Sequence, residues 1–129
     1  MIESRSSERR RAPRVNVDFP LEFSHPFPRE VIRVKNISTS GICCISQFPL
    51  PEMTRVGIII NLPEPPMRDR PMEPIKCEGA VVRCEPQPVS GETEAYELAI
   101  FLTDISPVSM EELQRFVNSR LIRRGDLRP

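Results

Sequence analysis

Tryptophan is absent from this 129-residue sequence, tyrosine and histidine occur once each, and glycine occurs five times. With one histidine, His25, and no CxxC pair among the four cysteines, a zinc site is not expected. His25 stands beside Pro26 in a turn-like stretch, and no nucleophile, base and orienting group form a set, so an enzyme is not expected. The formal net charge is zero, which removes any global field drawing the chain to DNA or to a membrane surface. Scarce aromatics further weaken a nucleic-acid reading. No apolar run approaches the ~20 residues of a spanning helix. The first residues, MIESRSSERRRAPR, carry charge without an apolar core, so no signal peptide is expected. Lysine is nearly missing too: of the 18 cationic side chains only Lys35 and Lys76 are lysine. The other cations are arginine, suited to forked phosphate contacts and to stacking on flat rings, although a coding bias gives the same count.

Proline is plentiful, at 15 residues, which favours turns over a helical bundle. The length suits one domain that buries a core without disulfides or metal. Cys43, Cys44, Cys77 and Cys84 then read as small thiols in a reducing cytosol, with Cys43 and Cys44 on opposite faces of a strand.

Residues 1–14 are polar, arginine-rich and aperiodic, as a flexible arm would be. From Val15 the pattern changes. Val15, Val17, Phe19, Leu21 and Phe23 alternate with polar residues and Pro20, which predicts a half-buried strand that is an edge or is bulged at Pro20. A turn over His25–Arg29 leads to a second strand, Val31–Ile37, then to a tight turn at Ser38–Gly41 and a third strand, Gly41–Ser46. A loop over Gln47–Glu52 precedes a fourth strand, with Val56, Ile58, Ile60 and Leu62 on one face. Pro63–Pro74 holds five prolines and reads as a solvated connection, with a partner-binding proline motif as the alternative. Ile75–Cys84 is a fifth strand whose phase drifts near Ala80, as a bulge at Gly79 would cause. Tyr96, Leu98, Ile100 and Leu102 mark a sixth. The period then lengthens: Leu113, Phe116, Val117 and Leu121 fall at helical spacing. The helix starts at a Ser109–Glu112 capping box or at Ser106–Pro107, and Gly125 stops it. Six short strands and one amphipathic helix predict a six-stranded antiparallel β-barrel closed by a C-terminal helix.

Two stretches carry binding chemistry: the run Arg9-Arg10-Arg11-Ala12-Pro13-Arg14, and the turn Asn36-Ile37-Ser38-Thr39-Ser40-Gly41. The RxxxR spacing of Arg10 and Arg14 also begins at Arg5, Arg29, Arg120 and Arg124, so alone it carries no information. The [DN]xSxxG pattern of Asn36, Ser38 and Gly41 occurs once, whereas composition alone predicts about 0.03 occurrences. Its short side chains can bond the turn backbone or a ligand. Gly41 permits a positive φ and a close approach, but a plain strand-to-strand turn uses the same residues.

The two stretches together, ahead of strand one and after strand two, resemble the PilZ domain family, as does Tyr96–Ser106 ("YELAIFLTDIS") running into the helix. The resemblance covers about residues 9–122. It implies a flexible arm at 1–8, a PilZ-like split barrel at 9–124 and a tail at 125–129, in a bacterial cytoplasmic protein. It further implies a receptor for cyclic di-GMP, with Arg9, Arg10, Arg14, Asn36, Ser38 and Gly41 as ligand-binding residues. No other cofactor and no metal are expected. A lone receptor domain has no output of its own, so a downstream protein partner is expected, with no DNA and no membrane insertion. The alternative is an adaptor domain of the same family that acts through protein contacts without nucleotide.

The chemistry fits such a ligand. Guanidinium groups fork onto phosphate oxygens and onto the O6/N7 edge of guanine. Asn36 can accept from a guanine N–H, and Ser38 can bond a phosphate or a base. Many family members carry aspartate where Asn36 stands; an amide offers one acceptor instead of two, which weakens base readout by about 1 kcal/mol. The resemblance also implies that the residue before RxxxR, here Arg9, affects stoichiometry, so an intercalated nucleotide pair is one expectation. The arm is expected to order over the ligand.

Overall fold

The computed structural model describes residues 13–26, 31–62, 73–87 and 95–124. Six strands run in the order β1 (Val15–His25), β2 (Val31–Ile37), β3 (Gly41–Ser46), β4 (Arg55–Ile60), β5 (Ile75–Gln87) and β6 (Ala95–Ile105), followed by α1 (Pro107–Arg124). They close into a barrel in the spatial order β1-β2-β3-β6-β5-β4, with β4 returning to β1, and every pairing is antiparallel.

The period-two patterns decide which side chains fill the barrel. Phe23, Ile37, Ile42, Ile58, Ile60, Ile75, Leu98 and Ile100 are almost wholly buried. At ~25 cal/mol per Å² of apolar surface, each such side chain contributes roughly 1.5–3 kcal/mol. The outward phase of β6 is Glu97, Ala99, Phe101 and Thr103.

Pro20 lacks the N–H that a ladder needs. The ladder to β4 begins only at Leu21, opposite Ile60, so at Pro20 the strand has a ladder partner only on its β2 side, at Arg33. The bulges of β1 lie elsewhere, between Asn16 and Phe19 against β2 and between Phe23 and His25 against β4. Register shifts at Gly79, but the bulge there is not in β5 as expected: Glu78 and Gly79 stand opposite Asp104 and Leu102, so the extra residue is Thr103 of β6. A Cβ at Gly79 would meet Ile100 Cγ2 at 2.6 Å and the Phe101 carbonyl oxygen at 2.8 Å, so no other residue fits without movement. A second shift, between Val81 and Arg83, leaves Val82 as the extra residue and turns it outward. The loop before β4 is pinned beside this bulge. Met53 N–H donates to the Val81 carbonyl at 2.7 Å, and Val81 N–H to the Thr54 carbonyl at 2.9 Å.

Helix α1 begins at Ser106–Pro107 and not at a Ser109–Glu112 box. Ser106 Oγ accepts the Ser109 N–H at 3.1 Å, and Pro107 takes the first helical position, where no N–H is needed. Leu113, Phe116, Val117 and Leu121 are buried, and Phe116 meets Phe19 of β1 edge-to-face at 6.0 Å between centroids. The Arg120 guanidinium lies 5.0 Å above the Phe116 ring. The stripe read from the sequence thus closes one end of the core. Of the expected Pro63–Pro74 connection, residues 63–72 lie outside the described residues, as does the expected stop at Gly125.

Candidate functional site

Arg14 stands one residue before β1. The pairs Val15–Ile37 and Asn16–Asn36 fix the start of that strand beside the β2–β3 turn, so Arg14 stands within reach of it. Its Nη1 donates to Asn36 Oδ1 at 2.9 Å. Its Nη2 lies 3.4 Å from where a Cβ on Gly41 would stand. The guanidinium therefore lies across the turn, and the single acceptor of Asn36 holds it there.

The turn is built around Ser38, whose side chain is fully buried. Ser38 Oγ accepts the N–H groups of Ser40 and Gly41, each at 3.1 Å, and sits 3.2 Å from Ser40 Oγ. The Ser38 N–H donates to the Gly41 carbonyl at 2.9 Å, and the Leu102 N–H of β6 donates to the Ser40 carbonyl at 2.9 Å. Ser38 thus shapes the loop from inside, while the half-buried Ser40 and the buried Gly41 border the surface beneath Arg14. Gly41 is needed for closeness rather than for a positive φ: a Cβ there would stand 2.8 Å from the Ile100 carbonyl oxygen. Arg9 and Arg10 lie outside the described residues.

Between the turn and strands β5 and β6 runs a groove of about 230 Å³, bordered by Arg14, Ser40 and Gly41 on one side and by Ala99, Phe101 and Val82 on the other. Phe101 is 52% exposed and Val82 49%, high values for large apolar side chains. A larger hollow of about 500 Å³, bordered by Ser24, Gly57, Lys76, Glu78 and Asp104, contains none of the motif residues. The smaller groove is the candidate site because Arg14 and Gly41, one residue from each motif, border it.

The outward face of β6 also carries a charged knot. Glu97, with a side chain 15% exposed, accepts from Cys43 Sγ at 3.1 Å, from Lys35 Nζ at 3.2 Å and from Arg83 Nη2 at 3.4 Å. The Cys43 bond and the two cations outweigh partial burial and hold the Glu97 carboxyl below its ordinary value of 4.5. Burial first, and the bond to Glu97 second, push the Cys43 thiol up to about 11. Burial likewise raises Cys44 to about 12 and Cys77 to about 11. All four cysteines are free thiols.

Sequence reading missed Ala99, Phe101, Val82 and Glu97. The signal available was one aromatic in the solvent phase of a strand, Phe101. Val82 could not be placed before the bulge was known. Among the described residues no group of metal-ligating side chains gathers, and no helix is long and apolar enough to cross a membrane.

The PilZ domain family matches residues 8–119. The chain belongs to the PilZ domain family. No curated protein matches it. Among solved structures, this PilZ domain is similar to the Bacillus subtilis inhibitor of motility (MotI/DgrA). The TM-score is 0.70 at 20% identity over 93% of this chain and 53% of that one, so it spans about half the length of the Bacillus protein. It is also similar to the PilZ domain with c-di-GMP of YcgR from Escherichia coli, with a TM-score of 0.64 at 16% identity over 92% of this chain and 95% of that one. At these identities the likeness is one of fold.

Proposed function

We propose that this PilZ domain is a receptor for cyclic di-GMP and not an enzyme. The observation that carries the proposal is the Arg14 guanidinium, held across the Ser40–Gly41 turn by Asn36 at the rim of an open groove. A guanidinium fixed in place forks onto a phosphate or a guanine edge without first losing its own freedom. Membership of the PilZ family, and the likeness to the Escherichia coli domain described with c-di-GMP, support the choice of ligand. Arg14 makes the first contact, and Asn36 orients it. Ser38 and Gly41 shape the surface on which the ligand rests. Arg9 and Arg10 follow from the arm, which orders over the bound nucleotide. The protein works in the bacterial cytoplasm, and its output is contact with a partner protein.

Isothermal titration of cyclic di-GMP into the protein tests this reading, with Arg14→Ala and Asn36→Ala alongside. Micromolar or tighter binding that is lost in Arg14→Ala supports it. No heat at high nucleotide concentration would overturn it and leave the adaptor reading, in which the domain acts through protein contacts alone.

A further inference from the structure

The groove beside Arg14 is unlike an ordinary solvated sheet face. Its floor is Ala99, which projects little side chain, so the sheet surface is open there. Gly41 and Ala80 are the ladder partners of Phe101 on either side, so the ring stands between two small residues with no bulky neighbour across the strands. The bulge in β5 adds Val82 diagonally, because Arg83 and not Val82 takes the place opposite Ala99. Singly exposed apolar residues need no explanation, but here two border one groove whose opposite rim is a guanidinium. An apolar wall facing a cationic donor suits a flat heteroaromatic ring with polar edges and an attached anion.

Size narrows the occupant. A groove of about 230 Å³ lies below the roughly 300 Å³ at which pockets begin to enclose a whole drug-sized ligand. It takes one ring system and leaves the remainder of a dinucleotide outside. We propose that this groove seats one purine base of the nucleotide against the Phe101 ring, over Ala99, with Val82 as its end wall. The proposal rests on the receptor reading above and adds a base contact that neither sequence motif contains. Arg14 then serves the phosphate or the edge of the same nucleotide, and Phe101 provides the face.

The absence of tryptophan supplies a direct probe, because Phe101→Trp introduces the protein's sole indole. Cyclic di-GMP is titrated into the unaltered protein, Phe101→Ala and Phe101→Trp by calorimetry, and into Phe101→Trp by fluorescence. Thermal midpoints of all three check that the exposed position leaves the fold intact. The expected results are binding weakened roughly tenfold in Phe101→Ala, retained in Phe101→Trp, and saturable quenching of the new indole. Binding by the unaltered protein that is lost in Arg14→Ala but unchanged in Phe101→Ala, with an unquenched indole, overturns the base seat and leaves the receptor reading standing. Absence of binding by the unaltered protein overturns both.

Discussion

Arg14 Nη1 donates to Asn36 Oδ1 at 2.9 Å, and this bond joins the two sequence motifs before any ligand arrives. Asn36 has one side-chain oxygen, and Arg14 takes one of its two lone pairs. Asn36 therefore acts largely through Arg14. Arg14→Ala is expected to weaken cyclic di-GMP binding roughly tenfold or more, and Asn36→Ala about fivefold, the worth of ~1 kcal/mol. The double variant should bind no more weakly than Arg14→Ala. Additive losses in a double-mutant cycle would show that Asn36 contacts the ligand independently.

Ser38 and Gly41 act by building the turn, so their loss should appear in stability as well as in binding. Ser38→Ala leaves the Ser40 and Gly41 N–H groups without their acceptor and should cost about 1–3 kcal/mol. Gly41→Ala places a methyl group against the Ile100 carbonyl and should cost about 1–3 kcal/mol through overpacking. Urea denaturation of both variants measures this. A midpoint shift in neither would contradict the buried role of the turn.

Glu97 predicts a pH dependence. Its carboxyl is held below 4.5 in the folded protein by the Cys43 bond together with Lys35 and Arg83. The unfolded chain thus binds the proton more readily than the fold does. The stabilisation is fully present above the unfolded value and is lost as pH falls through the lowered folded one. The urea midpoint should drop as the solution is acidified below about pH 4.5. Glu97→Gln should flatten that drop while leaving the far-UV spectrum unchanged. An unaltered acid profile in Glu97→Gln would remove Glu97 from the account.

The thiols should respond in order of access. Cys43, Cys44 and Cys77 are buried and their thiols are raised to about 11, 12 and 11, so each stays protonated at pH 8. Cys84 is half-buried. Brief alkylation of the native protein at pH 8, read by mass spectrometry of its peptides, should label Cys84 first and the other three only after unfolding. Early labelling of Cys43 would mean that its bond to Glu97 opens in solution.

The fold was legible because period-two alternation marks the inward side over most of each strand: Val15, Phe19, Leu21 and Phe23 are buried as their spacing predicts, and in β5 the inward phase changes at the Val82 bulge, from Val81 to Cys84. The outward side was not. A bulge changes which outward residues become neighbours without changing composition, so nothing in the sequence brings Val82 beside Phe101. Local chemistry also left two starts for α1, and the one with proline at the first helical position is the one adopted. At the site, Asn36, Ser38 and Gly41 could be singled out by their pattern. Their division of labour could not, because it depends on Ser38 facing inward and on Gly41 lying under β6.

The groove straddles the seam between β3 and β6, where Gly41 faces Phe101 across nearly half of the chain's length. Pairings of such long sequence separation form slowly, since loop entropy must be lost before they yield contacts. No fragment that lacks either the Arg14–Gly41 region or the Val82–Phe101 region assembles both walls, so a nucleotide held there recognises only the closed barrel. Occupancy is consequently linked to global unfolding rather than to local fraying: at a free concentration one hundred times the Kd, it deepens the folded state by about 2.7 kcal/mol.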